Sequence, residues 1–159
     1  MRPNNFPTIR LSQLASIYTA NPHLFSHVLE AESKADYYKI FQCGASIYWD
    51  THYSFGKQAG NKSKRIHSTF IDLLLINVVL PLKFFYLREN GLYNDEEIII
   101  ASRSLKAEDN TIIRKFREIE VCADDLMESQ ALLELKTNYC DTKKCLQCAI
   151  GNKLIRKKL

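Results

Sequence analysis

The chain of 159 residues has the length of one domain, and its 46% hydrophobic content with only 5 Gly and 4 Pro excludes a disordered or fibrous protein. The net charge of +4 is uneven, because lysines and arginines crowd a C-terminal tail in which no acid follows Asp141. Such a tail either contacts phosphate or an acidic partner, or is a solvated helix end.

The N-terminus has no apolar stretch of the kind that makes a signal peptide. The longest apolar segment, from Phe70 to Phe85, is interrupted by Asp72 and Lys83 and falls short of the ~18 consecutive apolar residues that a bilayer demands. We therefore expect a cytoplasmic protein whose five cysteines are free thiols or ligands and not disulfides.

Apolar periodicity predicts helices in the first third of the chain. After a lead-in restricted by two prolines, the helices are expected over residues 8–20, 22–29 and 34–43. The aromatic segment 47–55 fits an alternating strand about as well as a helix, so periodicity leaves it open. Residues 56–67 hold four basic residues, two glycines and no acid, which predicts a mobile basic loop.

The strongest helical pattern runs from Ser68 to Asn90 and predicts a central buried helix. Pro81 should kink it, and Asn77 on the same face must find hydrogen-bond partners. Further helices are expected over residues 94–104, 108–120 and 124–139, followed by a last helix capped by Asp141. The prediction is an all-α fold, a single multi-helix domain over residues 1–159 with a short irregular or extended aromatic segment.

Three cysteines, Cys140, Cys145 and Cys148, follow the spacing C-x4-C-x2-C. Thiolates at such short spacing are typical of zinc sites and iron–sulfur clusters, but a fourth ligand is missing. The candidates for it are Cys122, Cys43, His52 and His67. The alternative interpretation is that Cys145 and Cys148 are small buried residues of a helix and bind no metal.

The aromatic segment contains Trp49, His52 and Tyr53 close to Asp50. An Asp–His pair could orient a general base, with Cys43 as a nucleophile, and this makes an independent enzyme the third interpretation of the chain. An aromatic cluster with one histidine is more often a core in which the imidazole bonds to the backbone.

Basic residues define a candidate nucleic-acid surface, on which nearby tyrosines or Trp49 would stack on bases if exposed. Its predicted members are Lys57, Lys62, Lys64, Arg65, Lys153, Arg156, Lys157 and Lys158. The sequence shows no recognition helix, zinc finger or RNP-type motif. The competing interpretation is a module for packing or protein interaction.

Several ordered motifs together resemble a bacterial family, domain of unknown function 2851, over residues 2–155. They are Arg2-Pro3-x-Asn5-Phe6-Pro7-x-x-Arg10-Leu11, Tyr48-Trp49-x-Thr51-His52-Tyr53, Ile76-Asn77-x-x-x-Pro81, Ser129-Gln130-Ala131-Leu132-Leu133, Tyr139-Cys140, Lys144-Cys145-Leu146-x-Cys148 and Ile150-Gly151. The resemblance implies that the chain corresponds to the C-terminal half of a longer cytoplasmic protein. It also implies an N-terminal half with acidic and histidine motifs suggestive of a nuclease-like fold, none of which is present in this sequence.

The leading functional prediction is therefore an accessory helical domain of a nucleic-acid-related, nuclease-like protein, stabilised by zinc or an iron–sulfur cluster if the cysteines are ligands. The alternative is a structural or protein-interaction domain with unliganded cysteines. In either case we expect no activity in this chain alone. The proline-restricted lead-in with Arg2, Asn5 and Arg10, whose side chains can bond to carboxylates or backbone carbonyls, would fix the start of the domain or contact the missing half.

Overall fold

The computed structural model of the protein describes residues 6–92 and 95–156, which are mostly α-helical. Within them the helices are α1 (Pro7–Ala20), α2 (Leu24–Glu30), α3 (Lys34–Phe41), α4 (Ser68–Glu89), α5 (Asp95–Arg103), α6 (Thr111–Glu118), α7 (Leu126–Glu134) and α8 (Ala149–Arg156). Strands β1 (His52–Ser54) and β2 (Lys57–Gln58) pair antiparallel. The prediction of a helical fold is confirmed.

The chain forms two compact units, the first up to Ala101 and the second from Ser102. Each is described by itself below. The organisation of residues 1–159 as a single domain stays a prediction.

The core of the first unit begins with α1. Pro7 occupies the first turn, where its missing N–H is not needed, and Ile9, Gln13 and Ile17 recur every four residues as the buried face. The start of α3 has a capping box, in which the Ser33 hydroxyl accepts the N–H of Asp36 and the Asp36 carboxylate accepts the N–H of Ser33. Local sequence therefore determines where these helices begin.

Helix α4 forms over nearly the predicted range, but its burial is confined to one stripe. Ile71 and Leu75 are buried, whereas Leu73 and Phe85 are exposed, so a central buried helix is not confirmed. Asn77 is also exposed, and its side chain donates to the carbonyl of Leu73 (2.9 Å). By length and composition alone α4 could cross a membrane, a criterion that core helices of soluble proteins meet as well.

A π-helical segment, Leu75–Val79, interrupts α4 just before Pro81. Proline cannot donate the backbone hydrogen bond that a regular helix needs, and its ring crowds the carbonyl four residues earlier. The N–H of Leu80 bonds to the carbonyl of Leu75, five residues back, so one wide turn accommodates the proline.

The second unit is organised by side-chain caps. Asn110 accepts the N–H groups of Ile112 and Ile113 at the start of α6, and Asp125 accepts the N–H of Glu128 at the start of α7. Ser129, fully buried, accepts the N–H of Glu108 and thereby fixes the segment before α6 against α7. The predicted helix start at the Asp124–Asp125 pair is confirmed.

The predicted start of the last helix is wrong. After α7 a π-helical segment, Leu135–Cys140, ends in turns, and Lys143 adopts a left-handed conformation (φ 55°) that no helix continues. Asp141 pairs with Lys136 at the end of this segment and does not cap the last helix. Consequently α8 begins only at Ala149, and Cys140 and Cys145 lie outside it.

Replacing Asn110 with alanine tests the cap of α6. Because two backbone N–H groups lose their acceptor, we expect the second unit to lose about 1 kcal/mol of unfolding free energy, measured by thermal melting of the helical circular dichroism. Asn138→Ala is the control, because the Asn138 side chain is exposed and donates only to Glu134. Equal melting of the two variants would contradict the prediction.

Candidate nucleic-acid interface

The most basic surface of the first unit lies on the β1–β2 hairpin and the segment that follows it. In residues 44–67 the only acid is Asp50, against Lys57, Lys62, Lys64 and Arg65. The aromatic segment resolves into a 3-10 turn, Ile47–Asp50, followed by strand β1. The sequence left a helix and a strand open for this segment, and each is therefore partly correct.

Apart from strand β2 and one isolated bridge at Arg65, the basic segment 56–67 is a loop, as predicted, and backbone hydrogen bonds hold it in place; its mobility stays a prediction. The Lys62 N–H donates to the carbonyl of Asp50 (2.9 Å), and the Lys64 N–H donates to the Asp50 carboxylate (3.2 Å). The Ala59 N–H donates to the carbonyl of Thr51 (2.7 Å). The Asp50 carboxylate thus accepts the Lys64 backbone N–H, and among the described residues it forms no ion pair with a cation of this surface.

Helix α1 holds this surface in place. The Thr8 hydroxyl donates to the carbonyl of Tyr53 (2.7 Å), and the buried amide of Gln13 donates to the carbonyl of Lys64 (2.8 Å). Arg10 donates to the other end of the Gln13 amide (2.9 Å) and lies over the ring of Phe70, 3.6 Å from its centre. Arg10 therefore has a structural role, because it contacts Gln13 and Phe70.

Four rings form one cluster, in which Trp49 is buried: Tyr48, Trp49, His52 and Phe55. Tyr48 stacks on His52 with ring centres 4.1 Å apart and planes 9° apart. Phe55, between the two strands, contacts Trp49 edge to face at 5.1 Å and is 76% exposed. Tyr48 is also exposed, so the cluster presents ring surface to solvent in the same segment that carries the cations.

The predicted cations differ in their positions. Lys57, Lys62 and Arg65 are exposed, and among the described residues none of the three forms an ion pair. Lys64 is buried: its ammonium donates to the carbonyl of Lys62 (2.8 Å) and lies 4.2 Å from the centre of the Tyr53 ring. The surface lysines are therefore Lys57 and Lys62, and Lys64 instead holds Tyr53.

The groups of the enzyme interpretation are not arranged as a catalytic pair. The Nδ1 atom of His52 lies 3.0 Å from both the Tyr48 carbonyl and the Thr51 hydroxyl. Burial raises the pKa of the Cys43 thiol, and that thiol donates to the carbonyl of Gln13. A thiol held protonated in this way is a poor nucleophile.

The three clustered cysteines have different environments. Cys140 and Cys145 are exposed, and Cys148 is buried just before α8, where its sulfur accepts the N–H of Gly151 (3.5 Å). In the described part of the chain no group of three His, Cys, Asp or Glu side chains could hold a metal ion, even with Cys122 and Cys43 included. The metal site stays a prediction, and we base no function on it.

The remaining predicted residues are placed as follows. Lys153 and Arg156 lie on α8 beside a shallow depression of about 530 Å³, and Gln130 on α7 donates to Glu108 (2.7 Å). Arg2, Asn5, Lys157 and Lys158 lie outside the described residues.

The first unit contains a buried ionic cluster that was not predicted from the sequence. Lys83 on α4 is 1% exposed, and its ammonium contacts the Glu97 carboxylate (2.5 Å), the Ala31 carbonyl (2.7 Å) and the Tyr37 hydroxyl (3.4 Å). Burial raises the pKa of the Tyr37 phenol. A lysine within a mostly apolar helix was the available signal, but its partners lie in three other segments.

A comparison with known protein families matches most of the chain. The family model described as protein of unknown function (DUF2851) matches residues 1–111, which include the β1–β2 hairpin, the basic segment after it, and Lys83 with its partners. No curated protein and no solved structure matches the chain. The resemblance to this family is confirmed over the matched residues, and its extension to residue 155 stays a prediction. Because the match covers more than half of the 159 residues, the chain belongs to the DUF2851 family.

Proposed function

We propose that this chain is an accessory domain that binds nucleic acid through its hairpin surface, defined as Tyr48, Phe55, Lys57, Lys62 and Arg65. The observation that carries the proposal is the combination of exposed aromatic rings with exposed cations that form no ion pair among the described residues, in a segment whose single acid is Asp50. Exposed cations attract phosphates, and ring faces accept bases.

The domain is further proposed to act in a bacterial, cytoplasmic protein as the C-terminal half beside a nuclease-like N-terminal half. The sequence resemblance supports this context. The C-terminal cations Lys153, Arg156, Lys157 and Lys158 would add to phosphate contact, and zinc or an iron–sulfur cluster on Cys140, Cys145 and Cys148 would be structural. The proposal needs neither the tail nor a metal, because the hairpin surface alone has the required chemistry.

The proposal is tested by removing the charge of the hairpin surface. The variant Lys57→Gln/Lys62→Gln/Arg65→Gln should bind a fluorescein-labelled oligonucleotide of about 15 nucleotides at least about tenfold more weakly at low salt, because three phosphate contacts are lost. The dependence of affinity on salt concentration should also become less steep. Fluorescence anisotropy over a series of salt concentrations measures both quantities.

The matched control removes the same charge from the second unit. Arg114→Gln/Lys115→Gln/Arg117→Gln changes three exposed cations on α6 and should leave the affinity within about twofold of the unchanged protein. Equal weakening by both triple variants would mean that only net charge matters. Absence of binding by the unchanged protein at low salt would overturn the proposal.

A second candidate function is protein interaction. It is favoured by an exposed apolar stripe on α1, formed by Leu11, Leu14 and Tyr18 at helical spacing. The partner that the family resemblance offers is the N-terminal half of a longer relative. Copurification with that half, lost in Leu11→Ser/Leu14→Ser but kept in the hairpin triple variant, would favour this candidate, and copurification that the two serines leave intact would count against it.

A further inference from the structure

The hairpin carries its one large apolar side chain at its tip. Strand β1 ends at Ser54 and β2 begins at Lys57, so Phe55 and Gly56 form the connection, with Gly56 in the left-handed region (φ 70°). The Phe55 ring is 76% exposed although the buried Trp49 lies in contact with it. A single exposed apolar residue is ordinary at a protein surface, but this ring has fixed neighbours.

Those surroundings fix the tip. The Gly56 N–H donates to the hydroxyl of Tyr48 (3.2 Å), and the Tyr48 ring is itself stacked on His52. The Phe55 ring lies 6.1 Å from Tyr48 and 5.1 Å from Trp49, centre to centre. The ring is therefore supported from one side and open on the rest, and a ligand that contacts it meets a preorganised surface.

Exposed cations follow Phe55 closely in the chain. Lys57 follows two residues after Phe55, and Lys62 and Arg65 are exposed on the following segment. An exposed ring beside cations is the combination that binds single strands, whose bases have free faces and whose phosphates follow close by. In a duplex each base face is already stacked on its neighbours, so the ring could stack only after unstacking a step.

We infer that Phe55 stacks on a base of single-stranded nucleic acid, with Lys57, Lys62 and Arg65 on the neighbouring phosphates. This inference rests on the proposed function and specifies its substrate class. It makes the hairpin surface selective for single strands without any hydrogen-bond recognition of sequence.

The test compares substitutions of Phe55 on a labelled thymidine single strand and on a duplex of the same length. Phe55→Ala should lower affinity for the single strand roughly tenfold and leave the slope of affinity against salt unchanged, because no charge is lost. Phe55→Tyr should bind like the unchanged protein, and Phe55→Leu like Phe55→Ala, because leucine has no ring face. Affinity for the duplex should hardly change in any of the three.

Ile47→Ala is the matched control, since Ile47 is 87% exposed beside the same cluster but offers no ring. It should bind as the unchanged protein does. Full affinity of Phe55→Ala or Phe55→Leu for the single strand, together with weak binding by the charge variant, would overturn the stacking inference and leave the proposed function standing. Equal losses on single strand and duplex would overturn the substrate class, and no binding by the unchanged protein would overturn both proposals.

Discussion

Lys83→Met is expected to lower the unfolding free energy of the first unit by about 3 kcal/mol. The change leaves the partly buried Glu97 carboxylate, the Ala31 carbonyl and the Tyr37 hydroxyl without the ammonium that now contacts them. Methionine keeps most of the volume, so the loss reports the ionic contacts and not a cavity. Urea denaturation followed by the fluorescence of Trp49, the one tryptophan of the chain, measures this unit.

Two further variants separate the buried cluster from surface charge. Lys39→Met removes an exposed lysine paired with Asp36 on α3 and should leave the unfolding free energy unchanged within error. Lys83→Met/Glu97→Gln should be more stable than Lys83→Met alone, because no uncompensated carboxylate remains. A loss below about 1 kcal/mol for Lys83→Met would show that the cluster contributes little to the stability of the first unit.

Gly151→Ala is expected to destabilise the turn before α8 by about 2 to 3 kcal/mol. A Cβ at this position would lie 2.5 Å from the carbonyl oxygen of Cys145 and 3.0 Å from its Cα. Both are backbone atoms that cannot rotate aside, so the turn over residues 145–148 must move. The bonds from the Cys148 N–H to Lys144 and from the Gly151 N–H to the Cys148 sulfur should then weaken.

The readout is the alkylation rate of Cys148, which is 8% exposed and should react about tenfold faster or more in the variant. Quantifying each modified peptide by mass spectrometry distinguishes Cys148 from the exposed Cys122, whose rate should not change. Gly60→Ala is the matched control, because a Cβ at Gly60 meets nothing within 4 Å. An unchanged Cys148 rate in Gly151→Ala would contradict the prediction.

The sequence predicts the helices better than the surfaces they form. Helix starts follow from local signals such as Ser33, Asn110 and Asp125, whose side chains bond to backbone within a few residues. The hydrogen bonds that hold the basic loop after the hairpin could not be predicted, because they run to Gln13 and Asp50, distant in the chain. The predicted start of α8 was wrong because the left-handed conformation of Lys143 has no sequence signal of its own.

The candidate site was likewise predictable only where local sequence determines it. Basic composition identified the cations of the hairpin surface, but periodicity could not tell that Lys64 is buried against Tyr53 or that Phe55 is exposed. Burial of a side chain depends on which distant segment packs over it. For the same reason Lys83 gave no indication of its pairing with Glu97.

The contacts between α1 and the hairpin surface have a consequence for folding. Thr8 and Tyr53 are 45 residues apart in the chain, Gln13 and Lys64 are 51 apart, and Ser12 and Ser46 are 34 apart. Contacts at such separation require closure of long loops, so the surface should take shape late, after the local helices. A hairpin of such short strands is marginal by itself, and residues 44–67 transplanted to another scaffold would not retain their shape.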